Sequence, residues 1–322
     1  MAERLAKQLK AGGRSTRDKV RSLSVSIEAN GGGRSKRAAA VVSACSQLKT
    51  LELVVVRGFY LGAAGKTNQL GKPLSQALKK LSLKTFVARS LKTGYLATIE
   101  LLDVWSNWPQ LQILTLDNIR THNFRQHALP SLPPLPLTRL QLPPPIDSGG
   151  SELAPLLSSA ADTLRHLSFC HPANCYGIPA TQRFAPVVAV APQLLSLSGI
   201  GKSYSSVFHA SEDWWPTLLA LRDVQELFIG TNGYKLDAIL PLLQQLQRLA
   251  ILNISDSNLN TTDYSSFPLH EITSAAALDF IAEAPALQHL TLPHQLGKVW
   301  TKEELARVET SAEEKSVRFT LG

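Results

Sequence analysis

The sequence predicts an α/β solenoid of about ten repeats, a ladder of parallel strands joined by helical crossovers. Three observations carry that expectation. An L-x-x-L-x-L pattern, often loosened to any apolar residue, recurs along the chain. Its copies follow one another at a nearly constant interval. The segments between copies place apolar residues at helical spacing.

The clearest copies hold Leu48, Leu51 and Leu53; Leu111, Leu114 and Leu116; Leu137, Leu140 and Leu142; and Leu164, Leu167 and Phe169. Val224, Leu227 and Ile229, then Leu249, Leu252 and Ile254, then Leu287, Leu290 and Leu292 continue the series. Weaker copies stand at Val20, Leu23 and Val25, at Leu83, Phe86 and Ala88, and at Leu194 and Leu197 before Gly199; Val317, Phe319 and Leu321 close it. The middle residues of successive copies are separated by 28, 35, 28, 26, 27, 30, 30, 25, 38 and 29 positions. Within L-x-L both apolar residues point to one face of a strand, because side chains alternate. A strand of about five residues cannot stand alone, so each copy needs the next beside it, and a parallel neighbour requires a crossover.

Helical crossovers are legible in three places. DAILPLLQQLQRL aligns Ile239, Leu240, Leu243 and Leu246, with Gln244, Gln245 and Gln247 opposite. SELAPLLSSAADTL aligns Leu153, Leu156, Leu157 and Ala160, and TSAAALDFIAEAP runs through Leu278 and Ile281 to a stop at Pro285. Asp237 and either Thr273 or Ser274 are the expected N-caps, since their side-chain oxygens can accept from orphan first-turn amides.

Over roughly residues 20–322 the chain resembles the leucine-rich-repeat family, most of all its ribonuclease-inhibitor-like and F-box-associated subclasses. The resemblance implies a right-handed curved horseshoe, with the parallel strands lining its concave face and the helices outside. The family usually places Asn or Cys three residues after the last strand leucine, and Asn232 alone fits. Val56, Pro145, Pro172, Ser257 and Gln295 hold that place in other copies, so the turns are expected to be irregular.

Two domains of behaviour are expected: a basic flexible tail at 1–19 and a repeat domain at 20–322, with irregular loops near 57–73, 129–146 and 256–273. No apolar run approaches the roughly 18 residues of a membrane span, and the N-terminus has no signal-peptide pattern. An intracellular protein, in cytoplasm or nucleus, is the expectation, monomeric and without a membrane partner. Its +8 net charge is uneven. Residues 1–100 carry 19 basic against 5 acidic side chains, and the remainder 14 against 20. Such a gradient can steer an acidic partner or nucleic acid, although no aromatic residue interleaves with the basic ones in residues 1–49.

Several stretches imitate chemistry. TLRHLSFCHPANCYGI gathers His166, Cys170, His171 and Cys175, but zinc would want tight ligand pairs such as C-x₂-C, and thiol catalysis a positioned base. The register instead makes it a strand, with His166, Ser168 and Cys170 on the open face, followed by a loop. RGFYLGAAGKTN lacks the first P-loop glycine, because Tyr60 stands there. LPSLPPLPLTRLQLPPPI could be a polyproline ligand, yet LTRLQL sits on schedule within it, so an extended connection replacing a helix is preferred. Trp105, Trp108, Trp214 and Trp215 are expected to pack helices.

The residues alternating with the leucines should form a polar face of mixed charge. Arg89, Asp117, Arg139, Gln141, His166, Cys170, Glu226, Phe228, Asn253 and His289 are its candidate partner-binding residues, with Tyr60, Tyr176 and Tyr204 on loops. That set lacks paired carboxylates, a nucleophile with its base, or a metal cluster. A non-enzymatic scaffold for a protein partner, without cofactor or metal, is therefore expected. The resemblance further implies the substrate-recognition part of an F-box-type ubiquitin ligase receptor, although residues 1–19 are too short and polar for an F-box. The alternative is nucleic-acid binding through the basic N-terminal third, using residues 1–19 with Arg34, Lys36 and Arg37. A GTPase-activating role would need a catalytic arginine or asparagine, and none can be assigned.

Overall fold

A computed structural model of the chain describes residues 11–13, 18–28, 33–57, 71–96, 107–121, 134–142, 153–169, 187, 190–200, 220–230, 236–255 and 272–322. It separates into two compact units. Unit 1 comprises Met1–Leu164 with Cys170–Ala173, and unit 2 Arg165–Phe169 with Asn174–Gly322.

Unit 1 holds five strands, β1 (Ser22–Glu28), β2 (Thr50–Arg57), β3 (Thr85–Leu96), β4 (Ile113–Thr121) and β5 (Arg139–Leu142), each parallel to its chain neighbour. Its helices are α1 (Gly33–Ala44), α2 (Lys72–Leu78) and α3 (Leu153–Ser159). Unit 2 repeats the scheme with β6 (His166–Phe169), β7 (Ser196–Ile200), β8 (Glu226–Gly230), β9 (Ile251–Ser255), β10 (His289–Leu292) and β11 (Arg318–Leu321), again parallel in chain order. Between them run a 3-10 turn at Ala191–Gln193 and helices α4 (Leu236–Leu243), α5 (Ser274–Glu283), α6 (Leu296–Val299) and α7 (Lys302–Glu314). Parallel strands that follow one another in chain order, joined by helical crossovers, are the leucine-rich-repeat solenoid architecture.

The register is the one the leucines predict. Leu23, Leu51, Phe86, Leu114 and Leu140 are successive partners in unit 1. Leu167, Leu197, Leu227, Leu252, Leu290 and Phe319 are successive partners in unit 2. All except Leu23 and Phe319 are buried. Those two stand on the first and last strands and are half-buried.

A repeated backbone device holds the copies in line. In eight of the described copies the carbonyl of the first variable residue accepts both amides at the start of the next strand. Arg21 O takes Lys49 N and Thr50 N at 2.8 and 3.0 Å, Lys49 O takes Lys84 N and Thr85 N, and Lys84 O takes Gln112 N and Ile113 N. In unit 2 Arg165 O, Leu195 O, Gln225 O and Ala250 O do the same for the copies that follow them. Otherwise-orphaned amides at the strand starts are thereby satisfied, as burial requires.

Side chains tie neighbouring copies too. The Trp108 indole N–H donates to Leu78 O at 3.0 Å, and that of Trp300 donates to Ile272 O at 2.9 Å, 30 and 28 residues upstream. Trp108 is fully buried, with its ring centroid 4.9 Å from that of Phe86. Thr163 Oγ1 reaches Leu137 O at 2.9 Å and Leu135 O at 3.1 Å.

Some expectations need correction. Strands β3 and β4 are 12 and 9 residues long, beyond the expected five. Arg57 belongs to β2 and Lys72 and Pro73 to α2, so the loop expected at 57–73 is shorter. Ile272 is buried and Thr273 caps α5, which trims the loop expected at 256–273. Thr273 accepts from Ala276 N at 3.1 Å, but Asp237 lies inside α4 rather than at its cap. That helix contains Pro241 and ends at Leu243, so buried Leu246 follows in a turn. In α5 Ala277, Phe280 and Ile281 face the core, while Leu278 is only half-buried. Trp108 packs from a turn, not a helix. Within the proline-rich stretch residues 134–138 are non-helical and Arg139–Leu142 is β5, as expected.

Gly199 explains the weak copy at LLSLSG. Its φ is +80°, and a Cβ there would lie 2.0 Å from Phe169 O. The register skips a residue between Ser198 and Ile200, so Ile200, not Gly199, faces Ile229. Glycine is required by both conformation and close approach.

The last copy is closed by strong local signals. Thr301 Oγ1 accepts from Glu304 N, and Glu304 Oε2 accepts from Thr301 N at 2.8 Å, a reciprocal capping box. Ser274 Oγ donates to Glu304 Oε1 at 3.0 Å, tying α5 to α7. The Thr301 amide, followed by the Ser274 hydroxyl, holds the Glu304 carboxyl below the usual carboxylate range. At the far end Val317 N bonds Ala312 O and Ser316 N bonds Glu313 O, a Schellman turn with Ser316 at φ 58°.

Candidate binding face

Along each strand the leucines point inward, so the alternate positions form the opposite face. In unit 1 one row across the strands is Ser22, Thr50, Thr85, Ile113 and Arg139, and the next is Ser24, Glu52, Val87, Thr115 and Gln141. A third row brings Val54 beside Arg89 and Arg89 beside Asp117. Arg89 Nε lies 3.2 Å from Glu52 Oε1, with the two side chains 56% and 30% exposed. An ion pair this open contributes little to stability, about 0–1 kcal/mol. Arg139 is exposed at β5, and Gln141 beside it is half-buried.

In unit 2 the first row is His166, Ser196, Glu226, Ile251, His289 and Arg318. The second is Ser168, Ser198, Phe228, Asn253, Thr291 and Thr320. Hydroxyls pair along it, with Ser198 Oγ donating to Ser168 Oγ at 2.7 Å and Thr291 and Thr320 sharing a bond of 2.9 Å. Between these pairs stand Phe228 and Asn253, both half-buried. Asn253 Oδ1 is shielded from solvent and has no hydrogen-bond partner within the chain. An unmet acceptor of that kind costs about 1–3 kcal/mol.

The structure thus sorts the candidate residues into two groups. Arg89, Asp117, Arg139 and Gln141 share the face of unit 1, and His166, Glu226, Phe228, Asn253 and His289 share the face of unit 2. Cys170, together with Tyr60, Tyr176, Tyr204, Trp105, Trp214, Trp215 and Asn232, lies outside the described residues. Two face residues are invisible to a motif search keyed on polar positions. Ile113 and Ile251 are apolar, yet the register places both in the outward rows, half-buried. Ile251 is a diagonal neighbour of Phe228 across β8 and β9, which creates an apolar spot edged by Glu226, Asn253 and His289. Counting alternate positions outward from the buried leucine would have found them.

Among the described residues no group of three His, Cys, Asp or Glu side chains could hold a metal ion. No helix there is long and apolar enough to cross a membrane. No protein-family model and no curated protein matches the chain. Among solved structures, the chain is similar to one in a crystal structure of a TLR13–ssRNA13 complex, with 13% sequence identity and a TM-score of 0.32. That match covers 88% of this chain and 56% of the other, so this chain spans little more than half its length.

Proposed function

We propose that the strand face of this leucine-rich-repeat solenoid is a non-catalytic surface for recognising a protein partner. The observation that carries the proposal is the spot on unit 2. An aromatic ring and Ile251 occupy its centre, and Glu226, Asn253 and His289 edge it. Interfaces draw their energy from such aromatic centres enclosed by polar groups.

Affinity capture from native cells tests this, comparing wild type with a Phe228→Ala/Asn253→Ala variant and with a Glu309→Ala/Glu313→Ala variant on exposed α7 positions. Partners should be lost from the first variant and kept by the second. Equal recovery with both would refute the reading. The finer role, substrate recognition for an F-box-type ubiquitin ligase, rests on the repeat length and helix placement. A pull-down with the ligase's linker subunit decides it, and failure by this chain and by a longer transcript product removes that role alone.

A further inference from the structure

The backbone device that aligns the copies also aligns their charges. In unit 1 the residues supplying the doubly accepting carbonyls are Arg21, Lys49, Lys84 and Gln112, and the first three, on successive copies, are cationic. Their backbones therefore stand about 4.8 Å apart along the leading edge of the sheet. Arg21 and Lys84 are exposed and Lys49 is half-buried. Lys79 and Lys80, both exposed, follow α2 and lead directly into Lys84. The connecting segments 45–50 and 79–85 contain no acidic residue of their own, although the Asp18 carboxylate reaches the first and accepts from Ser46 Oγ at 3.5 Å. The Arg21 guanidinium donates to carbonyls, Asp18 O at 2.7 Å and Gln47 O at 3.2 Å, which holds it at this edge.

Local stability does not account for this row. Lys79 and Lys80 suit the C-terminus of a helix, but Lys49 and Lys84 have no such reason, and like charges on adjacent strands repel. At the equivalent positions unit 2 has Arg165, Leu195, Gln225, Ala250, Gln288 and Val317, and its Arg248 is neutralised by Asp223 at 2.9 Å. The cationic row is peculiar to the first copies.

We infer that this edge binds the phosphate backbone of a nucleic-acid duplex without reading its sequence. A row of point charges with no apolar anchor gains little from a protein partner, since hot spots need buried aromatic or arginine centres. Among the described residues the exposed large hydrophobic side chain is Val299, in unit 2. A polyelectrolyte repays the same row by releasing condensed counterions. Single strands would call for stacking aromatics, and among the described residues the tryptophan nearest in sequence, Trp108, is buried. The site is separate from the strand face, and it differs from Arg34, Lys36 and Arg37, which lie in the first turn of α1. The C-terminus of that 12-residue helix, about 18 Å away, leads to this edge.

The test is a fluorescence-anisotropy titration of the full chain with a short random-sequence DNA duplex at several salt concentrations. About five phosphate contacts predict a log–log salt slope near −4.5. A Lys49→Ala/Lys79→Ala/Lys80→Ala/Lys84→Ala variant should lose about 3–4 of that slope and bind at least about tenfold more weakly. The Arg34→Ala/Lys36→Ala/Arg37→Ala variant should keep most of both. A circular-dichroism melt confirms folding. Should the quadruple variant not fold, single Lys80→Ala and Lys84→Ala changes should each remove about 0.9 of the slope. No duplex binding at low salt, loss confined to the α1 variant, or tighter binding of a polyglutamate peptide of matched charge would overturn the inference. A strand-face variant that fails in affinity capture but binds duplex normally separates this result from the protein-partner proposal.

Discussion

Units 1 and 2 use the same backbone device and decorate it differently. Each aligns its copies by a carbonyl that receives two amides, and among the described residues each has one buried tryptophan donating to a carbonyl one repeat upstream. Their ends diverge. The last helix, α7, follows the local rules, with Glu303 and Glu304 in its first turn and a full capping box. The first helix, α1, carries Arg34, Lys36 and Arg37 in its opening residues and no acidic residue there. Cations at a helix N-terminus oppose the macrodipole, by about 0.3–1 kcal/mol each. Unit 2 thus closes the repeat with charges that stabilise, whereas unit 1 tolerates charges that do not.

The largest expected effect breaks the ladder itself. Gly199→Val should destabilise unit 2 by more than about 4 kcal/mol, because both its φ and the approach of Phe169 O exclude a side chain. Denaturant melts measure this, and a near-native midpoint would show that the bulge is not needed. Next come the paired tryptophans. Trp108→Phe and Trp300→Phe should each cost about 1–3 kcal/mol, since each leaves a carbonyl without its indole donor. Similar losses would confirm that the two units share one device, and a loss in only one would split the comparison.

Smaller effects sharpen the contrast at the C-terminal cap. Ser316→Gly should raise stability by about 0.5–1 kcal/mol, because serine there sits in the left-handed region that glycine adopts freely. Glu304→Gln tests the cap by pH. A carboxyl lowered in the folded state contributes stability that is complete above its unfolded value of about 4.3 and disappears as pH falls through the lower native value. Wild type should therefore exceed the variant in thermal midpoint at pH 7 and converge with it at acidic pH. A gap that persists in acid would mean the capping bonds do not depend on charge.

Much of this architecture can be read from the chain because the leucines report a one-dimensional regularity. Leu51, Leu114, Leu167 and Leu252 repeat at the interval the stacking demands, and all four are buried in register. What escaped was information carried by backbone rather than side chain. Nothing in LLSLSG announces that Gly199 is a bulge pressed against Phe169, and Asp237 satisfies a cap rule that the helix, starting one residue earlier, does not use. The face was legible as positions but not as a surface. Ile113 and Ile251 occupy outward rows that a polar-residue search discards, and the pairing of Arg89 with Glu52 depends on a diagonal between neighbouring strands. The leading-edge cations were hidden similarly, since Arg21, Lys49 and Lys84 are far apart in sequence until the carbonyl device stacks them.

Residue-resolved amide hydrogen exchange tests the central claim most directly, by following the strand-start amides of Thr50, Thr85 and Ile113 in unit 1 and Ser196, Glu226, Ile251 and His289 in unit 2. If each is held by the preceding copy's carbonyl, all seven should be strongly protected, opening only with their unit. Exchange near the rate of an unstructured peptide at these positions, in either unit, would mean the copies are not stacked as described, and both proposed surfaces would lose their basis.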